Sequence, residues 1–243
     1  MRDYAEEVKR RVKFIQDTVA ASNAKGIVFA NSGGKDAALT GILCKMACDN
    51  TVSLILPCGV ARSYKADRAD AMLLSKQYNI ATHGIDLAET QAAFLRSVKA
   101  DIQITDRALA NIAPRLRMMA IYAVATSENR LVAGTGNRSE IYLGYFTKFG
   151  DGGHDFNPIN DLTCTEVLEF LRYLGAPENI INKPPSAGLY EGQTDESDLG
   201  ITYASVDKYI TTGEASPEDK AIIDRYHNST HHKRRLPLMY GDS

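Results

Sequence analysis

The chain has 243 residues, of which 44% are hydrophobic and 24% charged, and its formal net charge is −2. This size suits one globular domain with a sizeable core, and the nearly balanced charge excludes a general polyanion-binding protein. The four cysteines form no CxxC pair, and the charged N-terminus has no apolar signal core. We therefore expect a cytoplasmic protein whose thiols are free.

A helix, a short apolar strand and a glycine-bearing turn open the chain. Residues 3–21 carry apolar side chains at spacings of three and four, which predicts an amphipathic helix. Residues 26–30 (GIVFA) form a continuous apolar run, which is typical of a strand buried on both faces of a parallel sheet. The turn after this strand leads into a helix that we predict from Asp36 to Cys48.

Strands and helices then alternate along the chain. The pattern predicts strands at residues 52–56, 80–86 and 130–134, and helices at residues 65–78, 87–99 and 107–126. Repeated strand-helix units of this length indicate an α/β fold, in which a doubly wound, mostly parallel sheet has helices on both faces.

The texture of the sequence changes after residue 135. The pattern predicts ordered loops at residues 144–161 and 182–200, and helices at residues 165–174, 202–211 and 216–227. Thr163 and Thr165 are both plausible N-caps for the first of these helices. Because no repeat or low-complexity linker divides the chain, we expect a single domain over residues 1–243, with residues 228–243 as a mobile tail or lid.

The segment ANSGGKDA at residues 30–37 carries the clearest chemical signal. It follows a buried strand and opens a helix, and the free N–H groups at a helix N-terminus favour anions. The candidate phosphate-binding residues are Asn31, Ser32, Gly33, Gly34, Lys35, Asp36 and Ala37. Lys35 either adds a point charge to this site or faces solvent. The segment matches neither GxxxxGK[ST] nor GxGxxG, so a dinucleotide-binding Rossmann fingerprint is not supported. A tight turn without a ligand is the alternative.

Longer motifs carry a resemblance to a known family. The segments GTGNRSE at residues 134–140 and LGYFTKFGDGGHDFNP at 143–158 resemble the signature of the ammonia-dependent NAD synthetases. Further matching segments are NIAPRLRM at 111–118, KPPSAGL at 183–189, DESDLG at 195–200 and HKR at 232–234. The SGGxD pattern is also similar to the pyrophosphate loop of N-type ATP pyrophosphatases. The resemblance runs from near residue 8 to residue 237.

The resemblance implies a fold of the adenine nucleotide α-hydrolase type and a specific reaction. ATP would adenylate the carboxylate of deamido-NAD, and ammonia would then displace AMP to give NAD, with pyrophosphate as the other product. The resemblance also implies that Mg²⁺ is held by Asp36 and Glu140, whose hard carboxylate oxygens suit this ion. Each acid alone could equally be a solvated carboxylate.

Further site residues are implied by position within the matching motifs. For ATP they are Thr135, Cys164 and Ser186; for deamido-NAD they are Arg115, Tyr122, Tyr145, Lys148, Asp155, His232 and Lys233. Asp151 matches the candidate ammonium site, so the expected catalytic residues are Asp151, Lys148 and Asp36.

Bland alternatives exist for most of these residues. Asp151 and Asp155 could do no more than hydrogen-bond their own glycine-rich loop. Arg115 could be a surface charge, the two tyrosines could be core residues, and the residues at 232–233 could belong to a solvated tail.

Two positions depart from the family pattern. Ala37 stands where the loop normally has a serine, and loss of a hydrogen bond to a charged group costs roughly 1.5–3 kcal/mol. Cys164 stands where many members have an ATP-contacting lysine. Two other functions therefore stay open: another ATP pyrophosphatase ligase, such as a tRNA-modifying or GMP-synthetase-like enzyme, and a degenerate nucleotide-binding protein.

The resemblance also implies partners. The family is homodimeric, and the length of the match leaves no room for a glutaminase domain, so we expect free ammonia as the nitrogen donor. A separate glutaminase subunit is the alternative source. We expect neither nucleic acid nor membrane as a partner.

Overall fold

The computed structural model describes residues 2–59, 64–184 and 194–241. The strands are β1 Gly26–Ala30, β2 Thr51–Ile55, β3 Ala81–Gly84 and β4 Arg130–Val132. The helices are α1 Tyr4–Ser22, α2 Lys35–Ala47, α3 Tyr64–Gln77, α4 Ala88–Lys99, α5 Asp106–Glu128, α6 Arg138–Leu143, α7 Cys164–Leu174, α8 Glu178–Ile181, α9 Asp195–Leu199, α10 Tyr203–Thr212 and α11 Pro217–Ser229, followed by a 3-10 helix at His231–Lys233.

The four strands form one parallel sheet in the order β3-β2-β1-β4, within the part of the chain that the structure describes. Alternate residues of β1 face opposite sides, so Ile27 and Phe29 belong to one apolar cluster and Val28 belongs to another. Helices α1, α2, α3, α7 and α8 contribute to the first cluster, and α5 covers the opposite face. The predicted α/β class, with helices on both faces of a parallel sheet, is confirmed.

A third apolar cluster lies beside the sheet. Leu143 at the end of α6, Val206 of α10 and Ile223 of α11 are fully buried in it, and Cys164 at the start of α7 joins them. This cluster fastens the C-terminal helices to the segment that follows β4. It therefore brings α7 and α10 close to the carboxyl end of the sheet.

Some local predictions differ from the structure. The prediction made no helix of residues 138–143, which form α6, and it placed a loop over residues 195–199, which form α9. Strand β4 ends at Val132 rather than 134, because Ala133 pairs with Phe156 only through an isolated bridge. Of the two candidate caps for α7, Thr163 is the N-cap, with a capping box to Glu166.

The C-terminal residues up to Arg234 pack against α6 and the loop after it. The Thr230 hydroxyl donates to the Leu143 carbonyl at 3.0 Å, and an Arg234 guanidinium nitrogen donates to the Tyr142 carbonyl at 3.1 Å. The large side chains from Leu236 to Tyr240 are exposed. The single-domain boundary and the mobile tail over residues 228–243 stay predictions.

No helix within residues 2–59, 64–184 and 194–241 combines the length and the apolar character that crossing a bilayer would need.

Substitution of Gly144 should test how tightly this C-terminal packing constrains the chain. Gly144 and Gly175 end α6 and α7 with φ values of 67° and 70°. A Cβ at Gly144 would lie 2.2 Å from Thr230 Oγ1, whereas a Cβ at Gly175 would meet nothing within 4 Å. We expect Gly175→Ala to cost about 1–2 kcal/mol of stability from the left-handed backbone alone. Gly144→Ala should cost about 1–3 kcal/mol more from overpacking.

Urea denaturation of the two variants measures this difference. Both substitutions add one methyl group at a helix C-cap whose backbone is in the left-handed conformation, so Gly175→Ala is the matched control. Equal midpoints for the two variants would show that Thr230 moves away from the added methyl group at no cost in the free energy of unfolding.

Candidate active site

The two halves of the predicted ATP site meet where β1 and β4 end. These strands are neighbours in the sheet, although the chain leaves β1 towards β2 on one side and reaches β4 on the other. Open α/β sheets bind ligands at such a switch point, outside the carboxyl ends of the strands. The Thr40 hydroxyl of α2 donates to the Gly134 carbonyl at 3.2 Å, which holds α2 against the chain leaving β4.

The loop between β1 and α2 is shaped by its own polar side chains. Buried Asn31 donates to the Ala71 carbonyl at 3.2 Å and accepts from the Gly33 N–H at 3.2 Å. Gly33 has a φ of 75°, and a Cβ there would lie 2.3 Å from the Asp67 carbonyl oxygen. The glycine is therefore required both by backbone conformation and by the close approach of α3.

The N-terminus of α2 has the character of an anion site. Its N-cap is Gly34, which makes no side-chain capping hydrogen bond, and Ser32 lies exposed beside it. The first N–H groups of the helix are therefore not satisfied by a side-chain cap, which leaves them available to phosphate oxygens. Ala37 lies in this first turn and is 3% exposed.

The two predicted metal-binding acids are brought together by one asparagine. Asn137 Nδ2 donates to Asp36 Oδ1 at 2.9 Å. The same asparagine is the N-cap of α6 and accepts from the Glu140 N–H at 3.0 Å, while Glu140 Oε2 accepts from the Asn137 N–H at 3.1 Å. The capping box thus sets the acid that follows β4 beside the acid that follows β1.

Glu140 of this acid pair has a strongly shifted pKa. Burial, and after it the nearby Asp36 carboxylate, raise the pKa of Glu140 well above its ordinary value. Lys35 acts in the opposite direction on Glu140, and its Nζ lies 2.8 Å from Asp36 Oδ2. The Lys35 side chain is 6% exposed, so the alternative that it faces solvent is wrong.

This donor set fits a hard divalent cation. The Asp36 carboxylate raises the pKa of the neighbouring Glu140 carboxyl, and added positive charge would stabilise two such neighbouring carboxylates. Mg²⁺ is commonly held by one or two carboxylates, with water and substrate phosphates completing its coordination. Among the described residues no group of three or more His, Cys, Asp or Glu side chains could hold a metal ion.

The other predicted ATP contacts lie at neighbouring helix starts and loops. Thr135 is half-buried and lies three residues after the end of β4. Cys164 opens α7, is 4% exposed, and donates its backbone N–H to Ser139 Oγ at 3.1 Å. Burial raises the pKa of the Cys164 thiol, whereas nearby Lys35 lowers it. Ser186 lies outside the described residues.

A second cluster forms on the loop after α6. Lys148 Nζ donates to the His232 carbonyl at 2.8 Å, and the Lys148 carbonyl accepts from Arg115 Nε at 3.3 Å. Asp151 Oδ1 accepts from the Thr147 N–H at 2.9 Å. The predicted residues Arg115, Lys148 and Asp151 are therefore gathered in one place.

Asp151 is an exposed residue whose carboxyl group is nevertheless surrounded by protein atoms. The residue as a whole is exposed, but the protein atoms around its carboxyl raise its pKa above the ordinary value, against the lowering effect of the Thr147 N–H. Lys233 lies near enough to lower that pKa as well, and its Nζ donates to the Gly144 and Phe146 carbonyls at 2.8 and 2.6 Å. Lys233 is thus not a solvated tail residue, whereas His232 is exposed.

Asp155 is anchored outside its own loop. Its Oδ2 accepts from the Val132 N–H at 2.7 Å, and its Oδ1 accepts from the Tyr122 hydroxyl at 3.0 Å. Burial and then Asp155 raise the pKa of Tyr122 to about 12. Tyr145 is half-buried and donates to Asp198 Oδ2 at 3.4 Å. The binding roles of these residues stay predictions.

Sequence reasoning missed two supports of the site. Asn137, which joins the acids, could have been found from the N-x-x-E pattern of its capping box. Asp207 of α10 is buried and accepts from the Ser139 hydroxyl and from the Thr165 N–H, the latter at 2.8 Å. No local signal marks Asp207, because its partners lie far away along the chain.

The carboxyl end of this parallel sheet carries a serine-glycine loop and two acids that are linked through one asparagine. This arrangement defines a nucleotide-binding α/β protein. The model for NAD synthase matches residues 7–241. The chain therefore belongs to the NAD synthase family and is a ligase that uses ATP.

Relatives and solved structures agree with this assignment. An NH(3)-dependent NAD(+) synthetase of Carboxydothermus hydrogenoformans is 43% identical over 238 residues, which cover 97% of each chain. The NH3-dependent NAD synthetase of Campylobacter jejuni superposes with a TM-score of 0.81 at 30% identity, covering 98% of this chain and 99% of that one. An NMN synthetase structure from Francisella tularensis gives a TM-score of 0.93 at 38% identity, with coverage of 98% and 99%. The family resemblance seen in the sequence is confirmed.

Proposed function

We propose that this chain amidates deamido-NAD with ammonia, using ATP, and releases NAD, AMP and pyrophosphate. The observation that carries the proposal is the 2.9 Å hydrogen bond from Asn137 to Asp36, which brings Glu140 beside Asp36 at the phosphate loop. A carboxylate has no adequate leaving group for ammonia, so it must first be activated, and transfer of AMP supplies that activation.

The first half-reaction would take place at the phosphate loop. The N–H groups at the start of α2 and the Ser32 hydroxyl can hold the β and γ phosphates, where negative charge develops as pyrophosphate leaves. Asp36 and Glu140 would hold Mg²⁺, which supplies neutralisation of the triphosphate charge. The carboxylate oxygen of deamido-NAD attacks the α-phosphorus to give a mixed anhydride with AMP.

The second half-reaction would use the loop after α6. Lys148 would bind the nicotinate end, and Asp151 would hold ammonium and accept a proton, which leaves NH₃ as the nucleophile. NH₃ then adds to the acyl carbon, AMP leaves with the electron pair of the broken C–O bond, and the nitrogen loses its extra proton to solvent. The raised pKa of Asp151 suits a carboxylate that gains a proton during the reaction.

One incubation tests the function. Purified protein is supplied with deamido-NAD, ATP, Mg²⁺ and ammonium, and NAD, AMP and pyrophosphate are measured. Equal amounts of NAD and AMP are expected. Omission of ammonium should lower the rate at which either product forms. AMP release only with a different acceptor would favour another ATP pyrophosphatase, and nucleotide binding without turnover would favour the degenerate protein.

A smaller substrate is a second candidate. The solved NMN synthetase superposes with a TM-score of 0.93, against 0.81 for the NAD synthetase of Campylobacter jejuni. The same amide-forming chemistry on nicotinate mononucleotide would give NMN. Measurement of kcat/KM for the mononucleotide and for deamido-NAD in one preparation decides between them, because the higher value identifies the substrate.

Ala37→Ser should strengthen ATP binding. The substitution restores a hydroxyl in the first turn of α2, where it can donate to a phosphate oxygen. A gain of roughly 1.5–3 kcal/mol corresponds to a KM for ATP lowered about tenfold or more. Initial rates of pyrophosphate release against ATP concentration measure the change. Ala47→Ser, at the far end of the same helix, is the control. An unchanged rate and affinity in Ala37→Ser would refute this reading of Ala37.

We also propose a homodimer in the cytoplasm. The four cysteines are free, which suits a reducing compartment, and the dimer is inferred from the family resemblance. Light scattering of the purified protein, with twice the 26.6 kDa chain mass as the expected result, tests the dimer.

A further inference from the structure

Lys35 places a buried ammonium beside the acid pair. Its side chain is 6% exposed, its Nζ lies 2.8 Å from Asp36 Oδ2, and the same atom lies 5.6 Å from the centroid of the Tyr203 ring. Lysine side chains are rarely buried to this extent unless they are paired. The pairing partner here is an acid to which the proposed function assigns the metal ion.

Both oxygens of Asp36 already accept a hydrogen bond. Oδ1 accepts from Asn137 Nδ2 at 2.9 Å, and Oδ2 accepts from Lys35 Nζ at 2.8 Å. Lys35 also lies close enough to Glu140 for each charge to stabilise the other. The Lys35 ammonium therefore offsets part of the negative charge of the two carboxylates.

A divalent ion bound to the same acids would meet this ammonium at short range. Like charges a few ångströms apart in a partly buried site repel strongly. The triphosphate of ATP changes this balance, because its negative charge attracts both cations and its oxygens offer the ammonium new hydrogen-bond acceptors. Free metal and nucleotide-bound metal should thus encounter very different sites.

We propose that Lys35 is the resident cation of the acid pair, so that it opposes binding of a free divalent ion and makes metal and nucleotide enter together. This inference rests on the metal site of the proposed function. It adds an order of binding that the family assignment does not contain, since it depends on a side chain within the phosphate loop of this chain.

Binding of Mn²⁺ in the absence of nucleotide tests the proposal. Electron paramagnetic resonance counts free Mn²⁺, and Asp36→Asn protein gives the background from other sites. Lys35→Met should bind Mn²⁺ at the acid pair about tenfold or more tightly than the native chain does, since one repelling charge is gone. Lys45→Met is the matched control: Lys45 lies on the same helix, but its Nζ donates to the Asp49 carbonyl at 2.9 Å.

Added nucleotide supplies the second readout. With α,β-methylene ATP, the native chain should gain more Mn²⁺ affinity than Lys35→Met gains. Lys35→Gln removes the charge but keeps a donor for Asp36, and it replaces Lys35→Met if that variant does not fold. Charge removal that leaves Mn²⁺ affinity unchanged overturns the role of Lys35.

The outcomes separate this inference from the proposed function. Tighter Mn²⁺ binding by the Lys35 variants supports the resident cation even if the native chain forms no NAD. If native and variant chains both fail to bind Mn²⁺ with and without nucleotide, the metal site and the resident cation are both overturned. NAD formation by the native chain is measured independently in either case.

Discussion

Asp36→Asn is expected to lower the rate of NAD formation on the order of 1000-fold, because it removes a charge that the triphosphate and its metal require. The amide has nearly the shape of the carboxylate, so the loop and α2 should keep their conformation. The substitution also leaves the Lys35 ammonium beside a neutral side chain, so its positive charge is no longer paired with Asp36. Steady-state NAD formation at saturating ATP and ammonium measures the effect.

Asp49→Asn provides the control for this prediction. Asp49 follows the same helix, is fully exposed, and pairs with Lys45 at 3.3 Å. Its loss should leave the rate unchanged, and thermal unfolding of both variants checks that each is folded. A folded Asp36→Asn protein that works within tenfold of the native rate would remove Asp36 from the metal site and would leave the proposed ATP chemistry without its main support.

Asp151→Asn should separate the two half-reactions. The amide cannot accept a proton from ammonium, so NAD formation should fall about 100-fold or more. Formation of the adenylate does not use this group, so pyrophosphate release in a single turnover should persist. Rapid quench experiments that follow both products show whether the rate of NAD formation falls while the rate of pyrophosphate release is kept. Asp101→Asn, in the exposed connection between α4 and α5, should change neither rate.

The pH dependence gives Asp151 a further signature. Its pKa is raised above the ordinary value, chiefly by burial of the carboxyl. A proton acceptor must be ionised to take a proton from ammonium, so the rate at constant NH₄⁺ concentration should fall with decreasing pH as Asp151 becomes protonated. This fall should begin at a higher pH than it would for an ordinary aspartate, and the profile of Asp151→Asn should show no break there. A native profile that stays flat into the range of an ordinary aspartate would rule out this role.

The order of the elements was accessible from the sequence because most of them carry a local signal. The apolar run at β1 is buried on both faces, and its bounds were predicted as observed. The first turn of α6 was hidden because glycine and asparagine dominate its neighbourhood, although the capping box of Asn137 and Glu140 was present in the sequence. Local patterns thus located the strands better than the short helix that carries one of the two proposed metal ligands.

The environment of Lys35 could not be read from the sequence. Its neighbours include Tyr203 from α10 and Cys164 from α7, which reach the phosphate loop only through tertiary packing. A lysine between a glycine and an aspartate is compatible with solvent exposure as well. The family pattern located the acids, whereas the contacts between distant helices decided what surrounds them.

The packing of the last helical turn has a practical consequence for how this protein is handled. Thr230 and Lys233 tie the chain terminus to the carbonyls of Leu143, Gly144 and Phe146, immediately ahead of Lys148. A C-terminal truncation that removes Thr230 and Lys233 would release the loop proposed to receive nicotinate. A bulky fusion placed at this end could displace the same loop. Affinity tags therefore belong at the other terminus, where α1 begins.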